Sequence, residues 1–257
     1  MTQQWITYEH PLNERIRVLM RLEFIFKQID QLLQEDTKLN THHILLAIGE
    51  LIGIVERGDL KSEILKELDR HIATMLNLQE TPGVDTEALQ AFLQNLQGLS
   101  AQLHSSQGQI AAELKNDEFL MGVIQRSGIP GGTCDFDMPG YHYWLEQDPE
   151  TRFKQINVWL GKFKLIKSAC GLILGLIRDS SLPKLQQAET GMYQQSLDKD
   201  HPCQLVRIML PVDSTIYPET SGNKRHFTVR FMGEDAESGK VKQVTTMVDF
   251  KITVCTI

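Results

Sequence analysis

YEHPLNERIRVLMRLEF, residues 8–24, is the stretch on which the reading of this chain turns. Leu12, Ile16, Leu19, Leu22, Phe26, Ile29 and Leu33 follow one another at spacings of 4, 3, 3, 4, 3 and 4. At about 100° per residue they make one helical stripe, which accounts for a core contact. Pro11 suits the first helical turn, where a missing N–H costs nothing, and the predicted helix runs to about residue 34. Asn13, Arg17, Arg21 and Gln28 fall on the opposite side, and Met20 and Phe24 lie among them. Arginine beside an adaptable methionine and an aromatic ring is a combination favoured in protein-recognition surfaces. The plain alternative is that another helix or a second subunit covers these residues. Either reading gives the helix a second contact.

Outward from this helix, apolar residues recur every three or four positions to about residue 180. After Pro183 they give way to alternation, β-branched residues and turn-rich connections. A second helix is expected over 42–56, stopped by Gly58. A third starts near Asp59, carries Ile64, Leu65, Leu68, Ile72, Met75 and Leu76 on one side, and ends before Thr81-Pro82-Gly83. A fourth follows the cap-like Asp85-Thr86-Glu87 and is expected to bury Leu89, Phe92, Leu93, Leu96 and Leu103. A fifth spans about 107–126 and a long sixth 149–178. Strands are expected over 184–193, 204–210, 225–232 and 243–256, joined as an antiparallel meander with turns at 198–202, Tyr217-Pro218 and Ser238-Gly239. Residues 4–8 and 133–137, the latter after Ile129-Pro130-Gly131-Gly132, are expected to complete the sheet. The predicted class is α+β. A helical bundle-like domain covers 11–182, with the short strand near 133–137, and an antiparallel β domain covers 1–10 and 183–257.

The bulk numbers exclude several roles. With 41% hydrophobic and 23% charged residues the composition is that of a globular protein, and a formal charge of −7 leaves no global basic field for nucleic acid or an anionic membrane. No apolar run approaches the roughly 20 residues of a membrane span. The opening MTQQWITYEH lacks the basic and apolar regions of a signal peptide, so the cytoplasm is the expected compartment. Cys134, Cys170, Cys203 and Cys255 are far apart, with no CxxC and no histidine at zinc-finger spacing. They read as reduced thiols, and no metal or cofactor is expected.

Catalytic patterns are scarce. Gly171 and Gly175 form a GxxxG that close helix packing explains, and Gly131-Gly132 lacks the Lys-Ser/Thr of a phosphate loop. His42 and His43 are adjacent, so on a helix they point apart. Asp135 and Asp137 would share one face of a strand, and with His142 they give the one dispersed enzyme site the text allows. In the β half, alternation places His226, Thr228 and Arg230 on one face and Phe227, Val229 and Phe231 on the other. Lys224, Arg225 and Arg230 there suit either a solvated edge strand or a nucleic-acid adaptor.

YEHPLNERIR with Arg21-Leu22-Glu23-Phe24, VERGD (55–59), LKELDR (65–70), PGVD (82–85), IPGGTCDFDMP (129–139) and VRFM (229–232) run in order through nearly the whole chain. Together they resemble the ZapD family of bacterial cell-division proteins, which associate with FtsZ. The resemblance implies a cytoplasmic, non-enzymatic homodimer at the midcell division site, with a helical and a β domain. Such a protein binds the C-terminal tail of FtsZ and bundles its filaments, promoting Z-ring assembly and septation. A tail mixing acidic and apolar residues would suit Arg17 and Arg21 with Met20 and Phe24. Arg57, Arg126, His142, Lys224, Arg225 and Arg230 would widen the basic surface.

Overall fold

The structure, a computed structural model, describes residues 3–56, 59–79, 85–106, 108–198, 202–235 and 238–256. Arg57, the helix stop Gly58, the breaker Thr81-Pro82-Gly83 and the turn residues Lys199, Asp200 and His201 lie outside the described residues. The chain divides into two compact units: Met1–Arg17 with Leu174–Ile257, and Val18–Ile173.

The first unit is antiparallel β. Its strands are β1 (Trp5–Pro11), β2 (Lys184–Ala188), β3 (Met192–Ser196), β4 (Leu205–Pro211), β5 (Ile216–Gly222), β6 (His226–Glu234), β7 (Val241–Gln243) and β8 (Val248–Cys255). They form two sheets, one in the order β1-β4-β8-β2 and one in the order β3-β6-β5, with β7 also paired to β6. This is not the expected meander, because β1 crosses to β4 and β8 lies between β4 and β2. Inward residues of both sheets, among them Val206, Ile208, Phe227, Phe231, Val248 and Phe250, form a single apolar cluster. The rings of Phe231 and Phe250 meet across it at 4.9 Å. The alternation expected for β6 holds, with Phe227, Val229 and Phe231 buried and His226 and Arg230 exposed.

Two strand expectations in this unit are corrected. The run 184–193 is two strands, because Gly191 turns the chain at φ +65° and an added Cβ there would lie 1.9 Å from the Val244 carbonyl oxygen. Tyr217-Pro218 is not a turn but part of β5, an edge strand, where a missing N–H breaks no ladder. On β1, Glu9 receives both Nε and Nη2 of Arg178, at 2.9 and 2.7 Å, and pairs with Arg207 of β4 at 3.0 Å.

Pro11 is also a correction. It ends β1 opposite Leu205 instead of opening a helix. The helix start falls to Asn13, whose side-chain oxygen accepts the Ile16 N–H at 3.0 Å, and α1 runs Glu14–Leu32.

The second unit is helical: most of α1, α2 (Lys38–Glu56), α3 (Leu60–Leu78), α4 (Thr86–Ser105), a 3-10 turn (Ala112–Asn116), α5 (Glu118–Ser127), α6 (Pro139–Leu145), α7 (Pro149–Gly161) and most of α8 (Lys164–Asp179). The fifth expected helix is thus a 3-10 turn plus α5, and the sixth is α7 and α8, broken at Lys162 and Phe163. Asp117 makes the first break. One of its oxygens caps Leu120 N–H at 2.9 Å and the other accepts the Trp159 indole N–H at 2.8 Å. No strand forms at 133–137, which is a chain of turns. Cys134 N–H bonds the Gly131 carbonyl, and Asp137 and Met138 N–H bond the Cys134 carbonyl. The expected stripe of α1 is buried at Leu19, Leu22, Phe26 and Ile29, each worth about 1.5–3 kcal/mol of removal from water.

Candidate partner-binding surface

On α1 the expected recognition residues occupy one outward face. Phe24 is 61% exposed, Arg21 is exposed and Met20 is half-buried. Arg21 has no ion-pair partner among the described residues. Its guanidinium is therefore available to an incoming carboxylate without first losing an internal one. Arg17, the last residue of the first unit, is different: its Nε lies 3.2 Å from Glu14, and its Nη2 donates to the Pro11 carbonyl at 3.4 Å. Together with burial, the larger cause, Arg17 holds the His10 imidazole below its usual acidity range. Arg17 thus serves the strand-to-helix junction as well as any ligand.

The other expected residues are spread over both units. Arg126 is exposed in the last turn of α5, where a cation complements the helix dipole. His142 is exposed on α6. In the first unit, Lys224 and Arg225 form the exposed tip of the β5–β6 hairpin. Asn223 fixes that tip, its side-chain oxygen accepting Arg225 N–H at 2.8 Å and His226 N–H at 3.3 Å. Arg230 stands exposed on β6, in register with Glu219 of β5 and Met192 of β3.

The dispersed enzyme site does not assemble as expected. Asp135 accepts the N–H of its neighbour Phe136 at 2.9 Å, and Asp137 accepts the Cys134 thiol at 3.4 Å. Both carboxylates and His142 are exposed. A groove of about 620 Å³ in the helical unit is lined by α1 and α2 residues, including Gln28, Glu35, His43 and Glu50. Another cleft, about 160 Å³, lies near Leu103 and Ile166. Neither includes Asp135, Asp137 or His142. Among the described residues no group of three His, Cys, Asp or Glu is placed to hold a metal. None of the described helices is long and apolar enough to cross a membrane.

Sequence periodicity missed one apolar surface. Phe92, expected in the core, is 46% exposed on α4, and Leu76 and Leu78 at the end of α3 are 44% and 39% exposed. Leu89, Leu93, Leu96 and Leu103 on α4 and Ile64 and Leu68 on α3 are buried as expected, and on α3 Glu67 and His71 are buried with them. A glutamate and a histidine inside the hairpin are invisible to a hydrophobic pattern. Phe92 lies one position before Leu93, about 100° away around the helix.

The expected recognition residues among the described ones therefore stand on open surface, with Arg21, Phe24, Arg126 and His142 in the helical unit and Lys224, Arg225 and Arg230 in the β unit. The family model for ZapD, described as a cell division protein, matches residues 20–230. The cell division protein ZapD of Methylococcus capsulatus is 37% identical over 250 residues, 97% of this chain and 98% of that one. That of Dechloromonas aromatica is 36% identical over 252 residues, 98% of this chain and the whole of the relative. That of Coxiella burnetii is 33% identical over 258 residues, the full length of both. The chain belongs to the ZapD family of cell division proteins.

Proposed function

We propose that this chain is a non-enzymatic division factor that binds the C-terminal tail of FtsZ and, as a homodimer, crosslinks FtsZ filaments into bundles at midcell. The observation that carries the reading is the outward face of α1, where Arg21, with no ion-pair partner among the described residues, stands one turn from a largely exposed Phe24. An acidic and apolar peptide finds there a guanidinium for its carboxylates and a ring for its apolar side chains. Arg17 and Met20 flank the pair, and Arg126 and His142 of the helical unit and Arg230 of the β unit are further exposed residues that widen the surface open to the tail. Two equivalent sites on a two-fold dimer hold two filaments, and many weak tail contacts along a bundle sum to a firm attachment.

The tail's apolar residues have a second landing place in Leu76, Leu78 and Phe92 of the α3–α4 hairpin, which lies in the same unit as Phe24. The test is right-angle light scattering and pelleting of GTP-polymerised FtsZ with this protein, using intact FtsZ and FtsZ without its C-terminal peptide. Scattering that rises only with the tail is the expected result. An equal rise with both forms would refute tail binding, and no rise with either would refute crosslinking.

A further inference from the structure

The groove of about 620 Å³ is framed by two matched stripes. On α1 and just beyond its end, Gln28, Gln31, Leu32 and Glu35 follow the spacing i, i+3, i+4, i+7, and on α2 His43, Leu46, Ala47 and Glu50 repeat it. Its volume lies within the range of about 300–1,000 Å³ usual for small-molecule sites. The floor is apolar, with Ala47 buried and Leu32 and Leu46 half-buried, whereas Glu35, His43 and Glu50 are exposed along the rim. Internal hydrogen bonds already occupy much of the donor side of this lining. Asn40 gives both amide hydrogens, to the Leu32 carbonyl at 3.3 Å and the Glu35 carbonyl at 3.0 Å, and Gln34 donates to the Asp30 carbonyl at 3.0 Å. His43 donates through Nδ1 to the Leu39 carbonyl at 2.9 Å, so Nε2 of the neutral ring is left as an acceptor. Glu35 and Glu50 have no Lys or Arg partner among the described residues. No Lys or Arg lines the groove, and Lys27 and Lys38, the nearest cations along the chain, are paired with Glu23 at 3.1 Å and Glu146 at 2.5 Å. What remains is a row of acceptors above an apolar floor.

The two carboxylates mark the ends of the groove. Glu35 is held beside Asn40 by the bond to its carbonyl, and from Asn40 to Glu50 α2 advances about 15 Å at about 1.5 Å per residue. An occupant that answers both carries ammonium groups at its two ends and methylenes between them for Leu32, Leu46 and Ala47. A metal ion does not suit the lining, since among the described residues no three His, Cys, Asp or Glu are placed to hold one. We propose that this groove is a binding site for a linear polyamine, whose terminal ammonium groups pair with Glu35 and Glu50, whose inner nitrogen donates to His43 Nε2, and whose methylenes lie on the apolar floor. The site lies wholly within the helical unit and does not depend on the reading of the chain as an FtsZ crosslinker.

Isothermal titration calorimetry with spermidine, putrescine and magnesium chloride at about 0.15 M salt, where distant charges are screened, tests the assignment. The parent is expected to bind one spermidine per chain, and to bind putrescine, too short to reach both carboxylates, several-fold more weakly. Glu35→Gln/Glu50→Gln keeps the shape of the groove and removes its two charges. It is expected to weaken spermidine binding by roughly tenfold or more, with each single variant between it and the parent. Glu189→Gln/Glu219→Gln removes the same charge from exposed positions of the β unit and is expected to bind like the parent. A cooperative urea transition confirms that each variant is folded. No saturable heat with the parent, an equal loss in both double variants, or displacement of spermidine by an equal charge of magnesium would overturn the proposal, the last two reducing it to a diffuse counterion atmosphere. Putrescine binding as tightly as spermidine would overturn the two-ended arrangement.

Discussion

Replacing Phe24 by alanine removes the largest exposed apolar group on the outward face of α1. A phenylalanine has about 200 Å² to bury. At 61% exposure, about 120 Å² of it remains open to a ligand, worth a ceiling of about 3 kcal/mol at about 25 cal/mol per Å². Alanine keeps part of that contact, so the expected loss is about 2 kcal/mol, or about thirtyfold in Kd. The fold should be indifferent, because the ring's exposed part contributes nothing to the core. Fluorescence anisotropy of a labelled FtsZ C-terminal peptide, titrated with parent and variant, reads the change directly, and pelleting of FtsZ filaments reads it again through the bundle. Phe92→Ala probes the second landing place in the same way, since Phe92 is 46% exposed on the α3–α4 hairpin, and is expected to cost less than Phe24→Ala. A Phe24→Ala protein that binds the peptide within twofold of the parent would refute the assignment to α1. If Phe92→Ala is the damaging change instead, the tail's apolar residues seat on the hairpin.

Arg21→Glu should weaken peptide binding several-fold and steepen the loss at low salt, with an unchanged urea midpoint. Arg17→Glu should lower the midpoint as well, because it sets a second carboxylate beside Glu14, which now pairs with Arg17 at 3.2 Å. Asp117→Ala should destabilise by about 2–3 kcal/mol, losing the α5 cap and leaving the Trp159 indole N–H without its acceptor. Asp117→Asn retains a capping oxygen and should cost less, with tryptophan fluorescence following both.

His71 is 2% exposed and its Nε2 has no hydrogen-bond partner among the described residues. Burial first, and Arg70 second, push its pKa down to about 4 against a weaker opposing effect of Glu67. A folded pKa below the unfolded one means that the unfolded chain takes up the proton first. Stability is therefore full above about pH 6.5 and falls as pH drops toward 4, by about 2 kcal/mol at pH 5. Urea unfolding at pH 7 and 5 should show that slope, and His71→Leu should flatten it. Burial pushes the thiols of Cys170, Cys203 and Cys255 up to about 12, 11 and 12, while Cys134 is only half-buried. A native thiol titration should find one fast cysteine, absent in Cys134→Ser.

The α+β class and the return of the N-terminal strand to a late sheet were legible because both periodicities are strong and sit in separate parts of the chain. Less legible were features that a single side chain decides. Asn13 rather than Pro11 starts α1, Asp117 splits the fifth expected helix, and Gly191 divides one expected strand into two. Pro218 hid β5, because a proline is compatible with a strand only at an edge, and the edge is a property of the finished sheet. At the candidate surface, the spacing of α1 gave the outward positions of Arg21 and Phe24, since exposure on a helix follows from the stripe it opposes. It gave neither the Glu14 partner of Arg17 nor the exposure of Phe92, which depend on neighbouring side chains and helices. Asp135 and Asp137 do flank a common feature, but a loop rather than a strand, and alternation has no meaning there.

The pairing of β1 with β4 has a consequence for the order in which the protein is made. Trp5 aligns with Pro211 and Pro11 with Leu205, while the next partner of β4, β8, ends at Cys255. On the ribosome the first strand emerges with nothing to pair with, and α2 to α7 have all been translated before its neighbour appears. The helical unit has time to collapse first, whereas the sandwich closes only after β8 has emerged. A nascent chain stalled before β4 would thus carry Trp5 to Pro11 as an unpaired edge, the segment a chaperone or another stalled chain would meet.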